Sequence, residues 1–393
     1  MLTAEPSPCH TIYINSKEGK KIVMSSSIEF DKIGKLGFGF MRLPRVDGEV
    51  DYPHVDKMVD AFLESGGTYF DAAYVYGGAE AALRETLVKR HPRKNFQIAT
   101  KLPVGMINKD RPPEYFLNES LERLGTDYID FYLLHGINSG ASKLAEDNGA
   151  WEYFAKLKKQ GTVKHIGFSF HGQPDDIAEI LEKHPEAEFI MPQLNYYDWE
   201  RPRFDAKRIY EITREFNIPV VAMEPLLGGK LASEDSPVTN IFKAANPNVS
   251  IASWAMRYLA QKEGIFVVLS GMSNLDQIKD NIGTFTDIKP LSENEEAVIN
   301  DAIKALRAVP CVDCTYCNYC KDCPANINIP ALIGLYNDTL IHKTMTNLSG
   351  SYGWMTGGRG VAKDCTSCGA CEDICPQNLE IIDTLKKVSE LFD

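Results

Sequence analysis

The sequence predicts an α/β chain in two parts, a (β/α)8 TIM barrel followed by a small α-helical, cysteine-rich domain. Three observations lead there. Between about residues 33 and 285, eight β-branched or aromatic runs alternate with helix-length amphipathic stretches. Polar residues close those runs at a repeating interval of a size that one strand–helix unit occupies. Nine of the 10 cysteines lie at or after Cys311. Residues 1–30 read as an N-terminal tail, 31–290 as the barrel, 291–310 as a connecting helix and 311–393 as the cysteine-rich domain.

The expected strands are 35–41, 68–72, 95–101, 128–135, 163–169, 189–195, 218–224 and 264–270. The expected helices between them are 52–65, 79–89, 113–123, 151–160, 175–182, 203–216, 250–261 and 275–282. Glycines stop several of these helices, as in Glu64-Ser65-Gly66-Gly67 and Arg123-Leu124-Gly125. An open doubly wound sheet would show a glycine fingerprint running from its first strand into a helix. Here Gly37-Phe38-Gly39-Phe40 runs into Arg42-Leu43-Pro44, which favours the closed barrel.

Hydrophobic residues make up 44% and charged residues 24% of the 393, ordinary for a folded chain. Asp+Glu exceed Lys+Arg by 54 to 42, a net charge of −12, which excludes nucleic acid as the main partner. No apolar run approaches the roughly 18–20 residues that span a bilayer, so no membrane partner is expected. No basic start leads into an apolar core, so a cytoplasmic location is expected. In that reducing setting clustered thiols read as metal ligands rather than disulfides.

The barrel strands end in Asp71, Lys101, His135, Ser169, Asn195, Glu224 and Ser270. Strand ends converge on one face of a barrel, where chemistry is built. Tyr76 follows Asp71 closely. A lysine ammonium beside a phenol favours the phenolate and is expected to lower its pKa, while a carboxylate holds the lysine charged. A histidine at the next strand end hydrogen-bonds the same substrate oxygen. Such a group protonates an oxygen that is becoming an alkoxide, as carbonyl reduction requires. Side chains supply no hydride, so a nicotinamide is implied.

Gly67-Thr68-Tyr69-Phe70-Asp71 with Tyr76-Gly77-Gly78-Ala79-Glu80 resembles the signature of the aldo-keto reductases. So do Thr100-Lys101, the stretch 117–130, Leu134-His135, the stretch 161–169, Gln193-Leu194-Asn195-Tyr196 and Pro225-Leu226, in that order. The resemblance covers nearly all of residues 33–285. It implies NAD(P)H as cofactor, a small carbonyl or alcohol as substrate, and Asp71, Tyr76, Lys101 and His135 as a catalytic tetrad with Tyr76 the proton donor. It also implies that Ser169 and Gln193 hold the nicotinamide carboxamide, with Asn195 in the same motif.

Two positions depart from the family. Met223 and Glu224 stand where many members carry an aromatic residue against the nicotinamide; a Met packs there less rigidly. NADPH-using members carry Lys or Arg after strand eight, whereas Ser270 to Gln277 has no cation, which favours NADH or weak discrimination. Leu227-Gly228-Gly229-Lys230 reads as a wrap for the pyrophosphate, or as a plain turning loop. Asn281 resembles an adenine contact, a solvated helix position being the alternative. His54, His91, His165, His171 and His184 show no ligand spacing and read as surface or locally bonded residues. Cys9 reads as a free thiol in the tail. The stretches 136–149 and 347–361 read as loops.

Cys365, Cys368, Cys371 and Cys375, followed by Pro376, form C-x2-C-x2-C-x3-C-P, the run that bacterial ferredoxins use for 4Fe-4S clusters. Cys311, Cys314, Cys317, Cys320 and Cys323, followed by Pro324, form a related run with one thiol too many. Counting back gives Cys314, Cys317, Cys320 and Cys323; counting forward gives Cys311, Cys314, Cys317 and Cys323. The crossed arrangement of such pairs gives one cluster Cys323, Cys365, Cys368 and Cys371, and the other Cys375 with three of the remaining four. Zinc also takes four thiolates, but triple runs ending in Cys-Pro are not its usual spacing. Two 4Fe-4S clusters in a ferredoxin-like iron–sulfur domain are therefore expected. The segment resembles the extension on a bacterial and archaeal branch of the aldo-keto reductases.

Clusters pass one electron and a hydride carries two, so a link between them requires a mediator; a ferredoxin or flavin is the expected electron partner. The competing readings are an electron-transfer or redox-sensing protein with the barrel as scaffold, and clusters that serve structure alone.

Overall fold

The computed structural model describes residues 11–15, 21–25, 28–201, 205–234, 236–314, 319–341, 348–375 and 377–393. Eight strands close a parallel barrel: β1 Leu36–Gly39, β2 Tyr69–Asp71, β3 Gln97–Leu102, β4 Ile129–Ile137, β5 Val163–Phe170, β6 Phe189–Pro192, β7 Val220–Ala222 and β8 Ile265–Ser270. Each strand pairs with the next in sequence, and β8 returns to β1 through Val268 opposite Leu36. A closed ring leaves no strand edge unpaired.

Alternation along the strands sorts the apolar residues into two layers. Tyr69, Ala99, Phe131, Leu133, Phe189, Met191, Val221 and Val267 fill the lumen. Phe70, Ile98, Tyr132, Leu134, Phe168, Ile190 and Val268 belong instead to the layer under the helices. Those helices start and stop where local chemistry dictates. The Asp51 carboxylate accepts the His54 N–H at the head of Tyr52–Glu64, and Gly125, at φ +67°, ends Pro113–Leu124.

Three stretches differ from expectation. Residues 139–147 form a helix, not a loop: Asn138 caps Ser139–Asp147 by accepting the Ala141 N–H, and Ser142 and Ala145, one turn apart, are buried. Leu348–Thr356 is also helical despite its glycines, because Leu348, Tyr352 and Met355 recur at helical spacing and pack on one core. The tail contains an antiparallel pair, Thr11–Asn15 with Lys21–Ser25; Cys9 lies outside the described residues.

The chain divides into two compact units. The barrel unit comprises Met1–Glu200, Phe204–Gly228 and Ala252–Leu291; the second comprises Arg201–Arg203, Gly229–Ile251 and Ser292–Asp393. Within the second, Glu293–Arg307 opens on a Ser292/Glu295 capping box. Its C-terminal core joins Ile329–Ile341 to Ile381–Phe392 through Ile329, Leu332, Ile333, Ile381, Leu385 and Val388. Among the described residues no helix is long and apolar enough to cross a membrane.

Candidate active site and thiol cluster

The barrel's alternation builds the site. Asp71, Lys101, His135, Gln193 and Met223 each stand two residues beyond a lumen residue, respectively Tyr69, Ala99, Leu133, Met191 and Val221. Residues two apart share a face, so these side chains top the lumen at the strands' C-terminal ends. Register holds them in line: Gly39 opposes Asp71, Lys101 opposes Leu133, and Ser169 opposes Met191.

Lys101 is 1% exposed, and its Nζ donates to Asp71 Oδ1 at 2.6 Å and to the Ala72 carbonyl at 2.7 Å. Burial opposes its charge, but Asp71 and Tyr76 outweigh burial and raise its pKa above 10.5. The same ammonium lies 4.7 Å from the centre of the Tyr76 ring. His135 meets that ring edge-on, the centroids 5.7 Å apart. Tyr76 itself sits in the turn after β2, its N–H on the Ala73 carbonyl. The four residues named as a tetrad thus come together.

The expected net fall in the Tyr76 pKa does not occur. Burial pushes the phenol above its ordinary 10.0, and Lys101 only partly offsets this. Tyr76 is therefore a firmly protonated group at neutral pH. Burial, with help from the positive charge of Lys101 and from His171, pulls the His135 pKa down to about 3, so its imidazole is neutral and keeps one N–H to donate.

The rim polar residues are locked by one another. Ser169 Oγ accepts the Gly136 N–H at 2.8 Å, fixing the backbone just beyond His135. Gln193 Nε2 and Asn195 Nδ2 donate to the same Asp198 oxygen at 2.9 and 3.0 Å. Asp198, 0% exposed, is a positioning residue that sequence reading missed; its own N–H donates to Asn195 Oδ1 at 2.8 Å. Thr100 donates to the buried Glu80 at 2.7 Å, tying two motif segments together beside Lys101.

Other residues fall differently. Met223 packs on the lumen core. Asn281 is buried rather than solvated and donates to Ser270 Oγ at 3.0 Å. Lys230 pairs with Asp338 inside the second unit. Gly228 and Gly229 hold φ of +67° and +97°, and Glu224 and Leu227 are also left-handed, at +55° and +48°. His171 is exposed, in keeping with its surface reading; it follows β5, and partial desolvation of its ring together with the Lys101 charge lowers its pKa.

In the second unit, Cys320, Cys323, Cys365, Cys368 and Cys371 line one cavity of about 160 Å³ with Pro324, Ile329 and Leu385. None of the eight described cysteines forms a disulfide. Cys317 lies outside the described residues. Asn337 clamps the peptide between Cys311 and Cys314, accepting from Val312 N–H and donating to its carbonyl, both at 2.8 Å.

The aldo/keto reductase family model matches residues 35–304. The chain belongs to the aldo/keto reductase family. A second model, the 4Fe-4S dicluster domain, matches residues 311–380, so this family member carries an iron–sulfur extension. An aldo-keto reductase of Mycolicibacterium vanbaalenii is 31% identical over 242 residues, 61% of this chain and 80% of that one. L-galactose dehydrogenase of Arabidopsis thaliana is 26% identical over 291 residues, 68% of this chain and 89% of that one. Among solved structures, the holo form of an aldo-keto reductase from Bacillus halodurans aligns with a TM-score of 0.56 at 24% identity, covering 76% of this chain and 97% of its own. An aldo-keto reductase from Klebsiella pneumoniae in complex with NADPH aligns at 0.54 and 18%, covering 74% of this chain and 94% of its own. These structural likenesses carry the barrel fold.

Proposed function

We propose that this aldo/keto reductase interconverts a carbonyl and an alcohol, with Tyr76 delivering or taking the proton on oxygen. The observation that carries the reading is the buried Lys101–Asp71 pair set beneath Tyr76 and beside a neutral His135. The residues present fit a dinucleotide: Gln193, Asn195 and Ser169 form a rim of polar groups fixed by internal bonds, matched to a carboxamide. When bound, NADH or NADPH supplies the hydride. The chain does the rest. His135 N–H orients the substrate oxygen, Tyr76 O–H protonates it, and Lys101 steadies the phenolate left behind. The cation-free stretch from Ser270 to Gln277 favours NADH over NADPH.

The cysteine cavity fits a thiolate-held inorganic cluster. Cys323, Cys365, Cys368 and Cys371 form the first ligand set: all four line that cavity, and the crossed ligation of paired ferredoxin runs separates them from Cys320, which lines it too. Cys375 joins Cys314, Cys317 and Cys320 in the second. Cys314, Cys320 and Cys375 pack on the same apolar core, which supports them as ligands and leaves Cys311 as the proposed spare thiol. Screening small aldehydes and ketones against NADH and NADPH tests the barrel reading. A wild-type protein that reduces several of them, while Tyr76→Phe does not, supports it; equal rates in both proteins defeat it. NADH that bleaches the cluster absorbance under anaerobic conditions, in wild type and Tyr76→Phe alike and without any carbonyl turnover, favours the electron-transfer reading.

A further inference from the structure

A dinucleotide brings two phosphates joined as a pyrophosphate, and the cation expected to meet them, Lys230, is engaged by Asp338. Arg42 is different. It ends the short turn Phe40–Arg42 that follows β1, and it is exposed. Among the described residues its guanidinium has no hydrogen bond and no ion pair. A methyl group added to Gly228, in the loop after β7, would lie 3.1 Å from Arg42 Nη2. One added to Gly271, just after β8, would lie 3.5 Å from Arg42 Cδ and 3.7 Å from its Cγ.

The Arg42 side chain therefore runs across bare backbone from the eighth strand end to the seventh. Loops after strands seven and eight are where barrels of this class most often hold phosphate. Gly228, at φ +67° and without a side chain, lets a ligand approach the backbone closely. Glu224 Oε2 stands 3.8 Å from that same methyl position and makes no ion pair with Arg42 among the described residues, so the guanidinium keeps its five donors for a ligand.

We propose that Arg42 is the pyrophosphate-binding residue of the dinucleotide site, an inference that rests on the cofactor reading above. The pyrophosphate is the better match than a 2′-phosphate for a reason of reach. Gly39, three residues before Arg42, is in register with Asp71 of the tetrad. A pyrophosphate is joined to the nicotinamide through one ribose, while a 2′-phosphate lies beyond a second. The guanidinium fork meets two phosphate oxygens at once, as a lysine does not.

The test is direct binding to the purified, cluster-loaded protein, read by nicotinamide fluorescence, with NADH and NADPH as probes. Arg42→Ala raises Kd for both about tenfold or more, the loss expected of a charge-assisted pair. Arg42→Lys recovers part of that loss, and Arg42→Met, which keeps the apolar stem, recovers none. Unchanged Kd in Arg42→Ala, or a loss confined to NADPH, overturns the assignment. Wild-type protein that binds neither nucleotide overturns the cofactor reading itself, a result distinct from an indifferent Arg42.

Discussion

Tyr76 is a phenol whose burial raises its pKa while Lys101 lowers it, and burial wins. It follows that the rate of carbonyl reduction holds through pH 10, the ordinary phenol value, and falls only above it; a pH–rate profile for kcat checks this. Tyr76→Phe removes the donor and lowers kcat by about 10²- to 10⁴-fold, with little change in nucleotide affinity. His135 adds a stability effect of definite sign. Its folded pKa is about 3 against 6.5 when unfolded, so between those values the unfolded chain binds the extra proton. Stability from this group is complete above pH 6.5 and is lost as pH falls toward 3. His135→Gln flattens that part of a urea-unfolding series against pH.

Elements show what the sequence made legible and what it hid. Strand alternation placed Asp71, Lys101 and His135 on one face because a period of two is local and survives any packing. Partner choice is not local. Lys230 looked free in its glycine loop, yet it finds Asp338, 108 residues away in sequence. The Leu348–Thr356 helix was hidden because glycine count outweighed a three-point apolar spacing that only a core rewards. At the opposite strand ends the work is structural. Glu188, just before β6, accepts the Ile166 N–H at 3.1 Å and pairs with Lys158 at 2.6 Å. Burial opposes its charge, but His165 and Lys158 more than compensate and hold its pKa at about 2. Glu188→Ala strands these donors and costs about 3 kcal/mol in chemical denaturation, with kcat retained.

At the scale of the whole molecule, the barrel unit carries Asp71, Tyr76, Lys101 and His135, while every cysteine of the iron–sulfur motifs belongs to the second unit. Each chemistry then fails separately. Tyr76→Phe keeps the wild-type iron and acid-labile sulfide content, which the two-cluster proposal puts at roughly eight of each per chain. Cys311→Ser keeps the same content, whereas Cys314→Ser loses about half of it; colorimetric iron and sulfide assays decide between them. The family was legible because its motifs recur in order over most of the chain, and the thiol spacing because it is rigidly local. The spare thiol was not legible, because counting forward or back along the first run gives different sets of four.

The most direct measurement is isotope transfer. NADH bearing deuterium on the transferring face of its C4 is incubated with protein and a small aldehyde that the wild type turns over, and the alcohol is analysed by mass spectrometry. Wild-type protein yields alcohol with one deuterium on the carbinol carbon, and Tyr76→Phe yields almost none. Alcohol formed without deuterium, or deuterated alcohol formed equally well by Tyr76→Phe, contradicts a nicotinamide-dependent site built around that phenol.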